Sequence, residues 1–399
     1  MKDLSNPENR ELFAIVSIGY NRLDSQSRLL ENLTKADYSG YNNVPLIISI
    51  DCSGDEGLYN YARIFEWPYG DKYVIIREER MGLKNHILAC GDLTQYFKGV
   101  ILLEDDLYLN KYFYHYVMHM MDVYGNCKKV ACIGMYKNEM NGFCWLPSDG
   151  LTNGADVRAC QTVCTSGEAF SSNMWNAFKK WYDKTEIDWD NLDVPEKEKQ
   201  WGKAWSKFYD AYMVLNDKYT IYPNIALSTN FGDAGEHGLS SDESLRFQAT
   251  LLYGKRDYQT LPFEELMKYD SHGDSLNLFD VLGVSREDTC IDLYGNRDNK
   301  YNKRYYLSVN PKPYKVIKSF GLWLRPLELN IINGLSGNDI FLYDTTMPSK
   351  KPKHGGLTRR VMYYQKGFNS KFLWYLVKGN ISFMVMIARN RLKRKLKIK

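Results

Sequence analysis

Three consecutive carboxylates, Glu104, Asp105 and Asp106, stand directly after the apolar run Val100-Ile-Leu-Leu103. Such a run reads as a buried strand, and open α/β sheets gather their ligands at the carboxyl ends of their strands. Adjacent negative charges repel one another unless a cation joins them. A hard divalent ion with oxygen ligands, Mg2+ or Mn2+, itself carrying a phosphate, suits the triplet chemically. A solvated acidic turn is the alternative.

Two more polar strand ends precede the triplet. Gly19-Tyr20-Asn21-Arg22 follows the apolar residues 12–18, and Asp51-Cys52-Ser53-Gly54-Asp55 follows residues 44–50. A guanidinium stacks on a base or holds a phosphate, and a carboxylate accepts a base N–H. An Asx-type turn is the rival role for Asp51, and a plain surface arginine for Arg22. Lys84 and His86, at the start of the helix before the acidic strand, are further phosphate candidates. His237 sits in a glycine-rich segment, residues 229–238, that can fold closely over a ligand, where it could contact a metal or a phosphate.

The elements that position these residues alternate. Strands are expected near residues 12–18, 44–50, 72–77, 100–103 and 130–134, separated by helices near 56–65, 82–97 and 110–124, with Leu29, Leu30 and Leu33 marking the apolar face of another. Strand-helix alternation of this kind predicts an α/β fold with a mostly parallel central sheet flanked by helices. A strand near 159–165, helices near 171–184 and 201–216, and a charged surface loop over 188–199 follow. Beyond Ser240 the pattern weakens: residues 245–282 read as partly helical, and Pro311 and Pro313 break regular structure.

The order of Gly-Tyr-Asn-Arg22, Ile-Asp51-Cys52 and Leu-Glu-Asp-Asp106 at successive strand ends resembles the nucleotide-sugar domain of GT-A-fold glycosyltransferases. The likeness is greatest to the family of the Golgi α-mannoside β-1,2-N-acetylglucosaminyltransferase and its bacterial relatives, and it covers residues 12–241. The resemblance implies a metal-dependent, inverting transfer from a UDP-sugar to a glycan or lipid-linked acceptor. It assigns Asn21, Arg22 and Asp51 to the nucleotide, Asp106 to Mn2+ or Mg2+, Glu104 and Asp105 to ribose, sugar or metal-bound water, and His237 to the metal or a phosphate, while Lys84 stays a phosphate candidate by its place at a helix start. For the base that deprotonates the acceptor it offers Asp210, in Phe-Tyr-Asp-Ala-Tyr-Met213, and Glu168, in Ser-Gly-Glu-Ala; Asp188, Asp190 and Asp193 stay open. It implies a catalytic domain over residues 1–240, divided at 135 into a nucleotide half and an acceptor half, an extension over 241–371 and a tail over 372–399. A sugar-nucleotide pyrophosphorylase is one rival, for which residues 19–22 are a poor triphosphate loop. An inactive glycan-binding protein of the same fold is another.

Composition narrows the partners. The net charge is +4, but seven basic residues from Arg389 to Lys399 have no acid among them, and the remainder holds 45 basic against 48 acidic residues. The body therefore gives no reason to expect nucleic-acid binding. Residues 372–388 are apolar but broken by Lys378-Gly379-Asn380, short of the roughly 20 residues that span a bilayer. A basic, Trp-containing amphipathic tail suits an anionic membrane surface, and a helix packed on the body is the alternative. The expected location is cytoplasmic, peripheral on the inner face of the cell membrane. The eight cysteines form no Cys-x-x-Cys pair and are expected to be reduced.

Overall fold

The structure, a computed structural model, describes residues 4–202, 204–233, 247–298, 302–364 and 370–396. Strand β1, Phe13–Gly19, runs parallel to β2, Leu46–Ile50, on one side and to β4, Gly99–Glu104, on the other. All three are buried on both faces, which is why they read as continuous apolar runs. Alternate side chains feed two cores: Ile15, Ile48, Ile101 and Leu103 pack on one face, and Ala14, Val16, Ile47, Val100 and Leu102 on the other.

Beyond β2 lies the parallel edge strand β3, Lys72–Ile76. Beyond β4 the sheet turns mixed. β8, Glu168–Ser171, is antiparallel to β4 and to β6, Val130–Gly134. Next come β9, Tyr219–Pro223, parallel to β6, then β7, Val157–Cys160, antiparallel to β9, and the two-residue β11, Lys268–Tyr269. The nine-strand order is β11-β7-β9-β6-β8-β4-β1-β2-β3, so the expected α/β fold with a mostly parallel sheet is present.

Helices α1, Leu23–Thr34, α2, Glu56–Ile64, and α3, Gly82–Gly91, connect the first four strands. Leu29, Leu30 and Leu33 are the buried face of α1, and Asp55 caps α2 by accepting the Leu58 N–H at 3.0 Å. The helix expected over 82–97 stops at Gly91 and continues as a 3-10 turn, Asp92–Gln95. Helix α4, Phe113–Tyr124, precedes β6, while α5, Ser172–Tyr182, α6, Glu196–Lys199, and α7, Trp205–Leu215, lie between β8 and β9. Residues 188–199 are not a plain surface loop, since Leu192, Val194 and Glu198 are buried.

Of residues 245–282, the described part, 247–282, holds little helix. It contains a 3-10 turn, Phe263–Glu265, β11 and a short helix α8, Leu278–Leu282. A second sheet follows, of β12, Thr289–Asp292, β13, Tyr305–Ser308, β14, Tyr314–Phe320, and β15, Ile340–Pro348, in the order β12-β13-β15-β14. It has its own core of Leu278, Ile291, Leu307, Phe320, Ile340 and Leu342. A helix from Ser370 to Leu396 runs through Lys378-Gly379-Asn380, so these residues interrupt the apolar run and not the helix. One glycine costs a helix only about 1 kcal/mol relative to alanine.

Candidate functional site

The carboxyl ends of β1, β2 and β4 are neighbours, so three strand ends far apart in sequence open into one cleft of about 270 Å³. Gly19 ends β1 tightly against α1: a Cβ there would lie 2.3 Å from Gln26 Oε1. The turn carries Asn21 and Arg22 into the cleft.

Arg22 is not free for a nucleotide. Its Nε donates to Asp105 Oδ2 at 3.2 Å, and its Nη2 donates to Asp105 Oδ1 and, at 3.2 Å, to Asp106 Oδ2. Burial disfavours the guanidinium charge, but Asp105 and Asp106 more than offset it and raise the Arg22 pKa. Burial in turn pushes Asp105 up to about 6 against the pull of Arg22. Glu104 rises as well, through burial and the charges of Asp106 and Asp105. On the adjacent strand Glu168 is buried and raised, by burial first and then by Glu104. Arg22 thus pairs with Asp105 and Asp106 and lowers Glu104 through its charge, while Glu168 has no such relief from it.

Asp51 is also spoken for, in part. It accepts N–H bonds from Cys52 and Met81 on Oδ1, at 2.9 and 2.8 Å, and from Gly82 on Oδ2 at 2.9 Å. Gly82 adopts φ +72°, a conformation that suits glycine, so Asp51 fixes the entry to α3. A carboxylate offers about four acceptor sites, and one on Oδ2 stays open to the cleft. His86 faces the same cleft, but its Nε2 lies 2.8 Å from the Ser49 hydroxyl, and burial lowers its pKa to about 4. Lys84 turns away: its Nζ lies 3.4 Å from the Tyr182 hydroxyl and 5.1 Å over the Phe208 ring.

The first part of the glycine-rich segment closes this cleft. Asp233 accepts a hydrogen bond from Ser25 at 2.7 Å and pairs with Arg28, whose guanidinium lies 3.7 Å over Phe231. His237 lies outside the described residues. Arg80, over the Tyr20 ring at 4.8 Å, also lines the cleft and was missed, because residues 77–81 carry no strand or helix pattern.

A second cleft, of about 590 Å³, shares Glu104, Asp106, Asn230 and Phe247 with the first. Its walls include Trp145 and the stacked pair Phe143 and Trp201, whose centroids are 5.9 Å apart. Asp210 lines it, accepting the Val163 N–H and lying beside Glu198; burial and that neighbour raise the Asp210 pKa strongly. Glu168 is not on its wall and accepts the Gly167 N–H at 3.1 Å. Asp188 caps Asn191 at the surface, Asp190 is exposed there too, and Asp193 binds Arg297 and His272. The turn Asp270-Ser271-His272-Gly273 also borders the cleft. Sequence reasoning missed it, since a two-residue strand gives no period.

Among the described residues no group of three or more His, Cys, Asp or Glu side chains is arranged to hold a metal. An Mg2+-type ion usually takes only one or two protein carboxylates and completes its shell with water and substrate phosphates. Asp106, at the joint of the two clefts beside Glu104 and Asp105, fits that smaller requirement.

No protein-family model matches the chain. No curated protein matches it either. Among solved structures it is similar to S. aureus TarS 1-349 in complex with UDP-GlcNAc, at 17% identity over 57% of this chain and 60% of that one, TM-score 0.36. It is also similar to the mannosyltransferase PcManGT from Pyrobaculum calidifontis in complex with GDP-Man and Mn2+, at 12% identity over 55% and 59%, TM-score 0.34. GalNAc-T7 with UDP, GalNAc and Mn2+ is similar at 12% identity over 54% of this chain and 43% of that one, TM-score 0.36. The chain therefore matches 60% or less of the length of each of these proteins.

Proposed function

We propose that the chain is a glycosyltransferase of the GT-A type that moves a sugar from a UDP-sugar to a glycan or lipid-linked glycan, with inversion, in surface polysaccharide synthesis. The observation that carries this reading is the meeting of two clefts at Glu104 and Asp106. Group transfer requires donor and acceptor side by side, and two clefts with a common wall provide that.

In this reading the first cleft takes the nucleotide, with Asn21 and the open acceptor site of Asp51 toward the base and Arg80 toward the diphosphate. Arg22 holds Asp105 and Asp106 in place. The residues fit a divalent ion on Asp106, aided by Glu104 or Asp105, and such an ion when bound neutralises the departing diphosphate. Asp210 is the member of the Asp210–Glu198 pair open to the second cleft. Burial and Glu198 favour the protonated form of Asp210, so it takes the acceptor hydroxyl proton, as the oxygen attacks the anomeric carbon, in the fraction of molecules in which its own proton has left.

The test is incubation with a panel of UDP-sugars, Mn2+ and glycan acceptors. Transfer or slow release of UDP is expected, at least 100-fold weaker in Asp106→Asn with unchanged thermal stability. Exchange of diphosphate into the sugar nucleotide indicates a pyrophosphorylase, and UDP binding without turnover indicates an inactive relative. Full activity in Asp106→Asn overturns the assignment of the metal ligand.

The same reading gives the C-terminal helix an anionic membrane surface as its partner, on the inner face of the cell membrane. Trp374, Val377, Ile381, Met384, Val385 and Leu392 are exposed at three- and four-residue spacing. The basic residues that follow add about 1 kcal/mol each near anionic headgroups at low salt. No helix among the described residues is long and apolar enough to cross a membrane. Cosedimentation with phosphatidylglycerol vesicles, absent with phosphatidylcholine and lost on deletion of 372–399, is the expected result; unchanged binding after deletion rejects the helix as the anchor.

A further inference from the structure

Along β7, Val157 and Ala159 point into the core, so Arg158 and Cys160 face the other way, toward the second cleft. Tyr222, opposite Arg158 on β9, and Tyr269, beside Cys160 on β11, face the same space. Three neighbouring strands thus present this face of the sheet to an open cleft in place of a packed helix.

Arg158 is 6% exposed. Among the described residues it makes no ion pair, its side chain donates no hydrogen bond, and its Nε is enclosed without an acceptor. Its guanidinium lies 5.7 Å over the Tyr269 ring and next to Gly150, where a Cβ would come within 2.3 Å of Nη1. The Arg158 charge lowers the pKa of the buried Glu328 carboxyl, but the two form no ion pair among the described residues; a buried cation without a hydrogen-bonded anion is a feature that a bound anion would complete. The carboxyls on the same wall are engaged elsewhere: Asp270 accepts Arg297 Nη1 at 2.6 Å, and Asp210 lies beside Glu198. At the rim Lys197, also without an ion pair among the described residues, lies 5.9 Å over the Trp145 ring.

We propose that the acceptor is anionic and that Arg158 receives its carboxylate or phosphate at the floor of the second cleft. This rests on the glycosyltransfer reading for the name of the cleft, but the charge requirement stands on Arg158 alone. The guanidinium forms paired N–H bonds to either oxyanion, and Trp145 with Phe143 and Trp201 flanks the neighbouring sugar.

Direct binding to the full chain tests it by calorimetry. The probes are an oligogalacturonate with its methyl ester, and a glycosyl phosphate with its neutral parent glycoside. At least one anionic probe is expected to bind ten-fold or more tighter than its neutral partner, the winning pair telling carboxylate from phosphate. Arg158→Gln abolishes that preference and Arg158→Lys keeps part of it, while the melting temperature of Arg158→Gln stays level or rises, because an unpaired buried charge has gone. If neither anion is preferred, or if Arg158→Gln keeps the preference, the proposal is overturned. The same holds if Arg158→Gln melts well below the parent protein with its binding preference intact, which marks a structural arginine. UDP affinity, measured alongside, reports separately on the nucleotide cleft, so a failure there is a failure of the glycosyltransfer reading only.

Discussion

Arg22 spends its charge on Asp105 and Asp106, so replacing it acts on the acids before it acts on any nucleotide. Arg22→Ala leaves the buried Asp105 without its cation, and we expect a loss of about 3 kcal/mol in urea unfolding, with less in Arg22→Lys. Millimolar Mn2+ should restore part of that loss, because a divalent ion replaces the missing charge. His86 gives the pH counterpart. Its pKa falls from an ordinary 6.5 to about 4 on burial, so the unfolded chain binds the extra proton between those values. Its contribution is complete above pH 6.5 and is lost as pH falls toward 4, to a limit of about 3 kcal/mol. The parent protein should therefore lose stability over that window faster than His86→Gln, measured by unfolding at each pH. At this scale the sequence was legible where a polar residue ends a buried strand, as with Arg22, Asp51 and Asp106. It failed for Lys84, because Gly82 and His86, four apart on α3, share the cleft face while residue 84 projects away from it.

Elements decide how firmly the clefts are walled. The strand β10, Ser228–Asn230, pairs antiparallel with β5, Leu107–Leu109, just past the acidic triplet, and carries the chain into residues 231–233. Ser25 and Arg28 of α1 then fasten Asp233 across the nucleotide cleft. Both partners of that ion pair are about a quarter exposed, so Asp233→Ala should cost about 1 kcal/mol or less in unfolding. It should still raise the KM for the UDP-sugar several-fold, because a cleft wall is released; an unchanged KM rejects the fastening role. The first five strands of the main sheet were readable because buried parallel strands are continuous apolar runs and amphipathic helices repeat at 3.6 residues. The acceptor side was not. Arg158 sits in a four-residue strand, and the turn at 270–273 follows a strand of two residues, too short for any period to show.

At the scale of the whole molecule, Arg297 joins parts that the chain order keeps far apart. It lies beside the second sheet, where its Nη1 donates to the Ile291 carbonyl at 3.2 Å, and reaches Asp193 between α5 and α6 and Asp270 after β11, with Asp274 at 3.9 Å. Burial opposes its charge, but Asp270 and Asp193 hold the guanidinium ionised. No spacing rule links residues 193, 270 and 297, so this junction, unlike the strand ends, had no signal in the sequence. Its consequence for function follows from place: Asp270 and His272 border the acceptor cleft, so the second sheet buttresses that cleft and leaves the nucleotide cleft alone. Arg297→Met should thus lower stability by about 3–5 kcal/mol, since three carboxyls lose their cation. At a temperature where the variant remains folded, acceptor KM should rise while UDP affinity holds. Adding Asp270→Asn should recover part of the lost stability, because removing one of the stranded charges relieves the others, a coupling that a double-mutant cycle measures. Strictly additive losses would mean that the two residues act separately and that the second sheet does not brace the acceptor cleft through this pair.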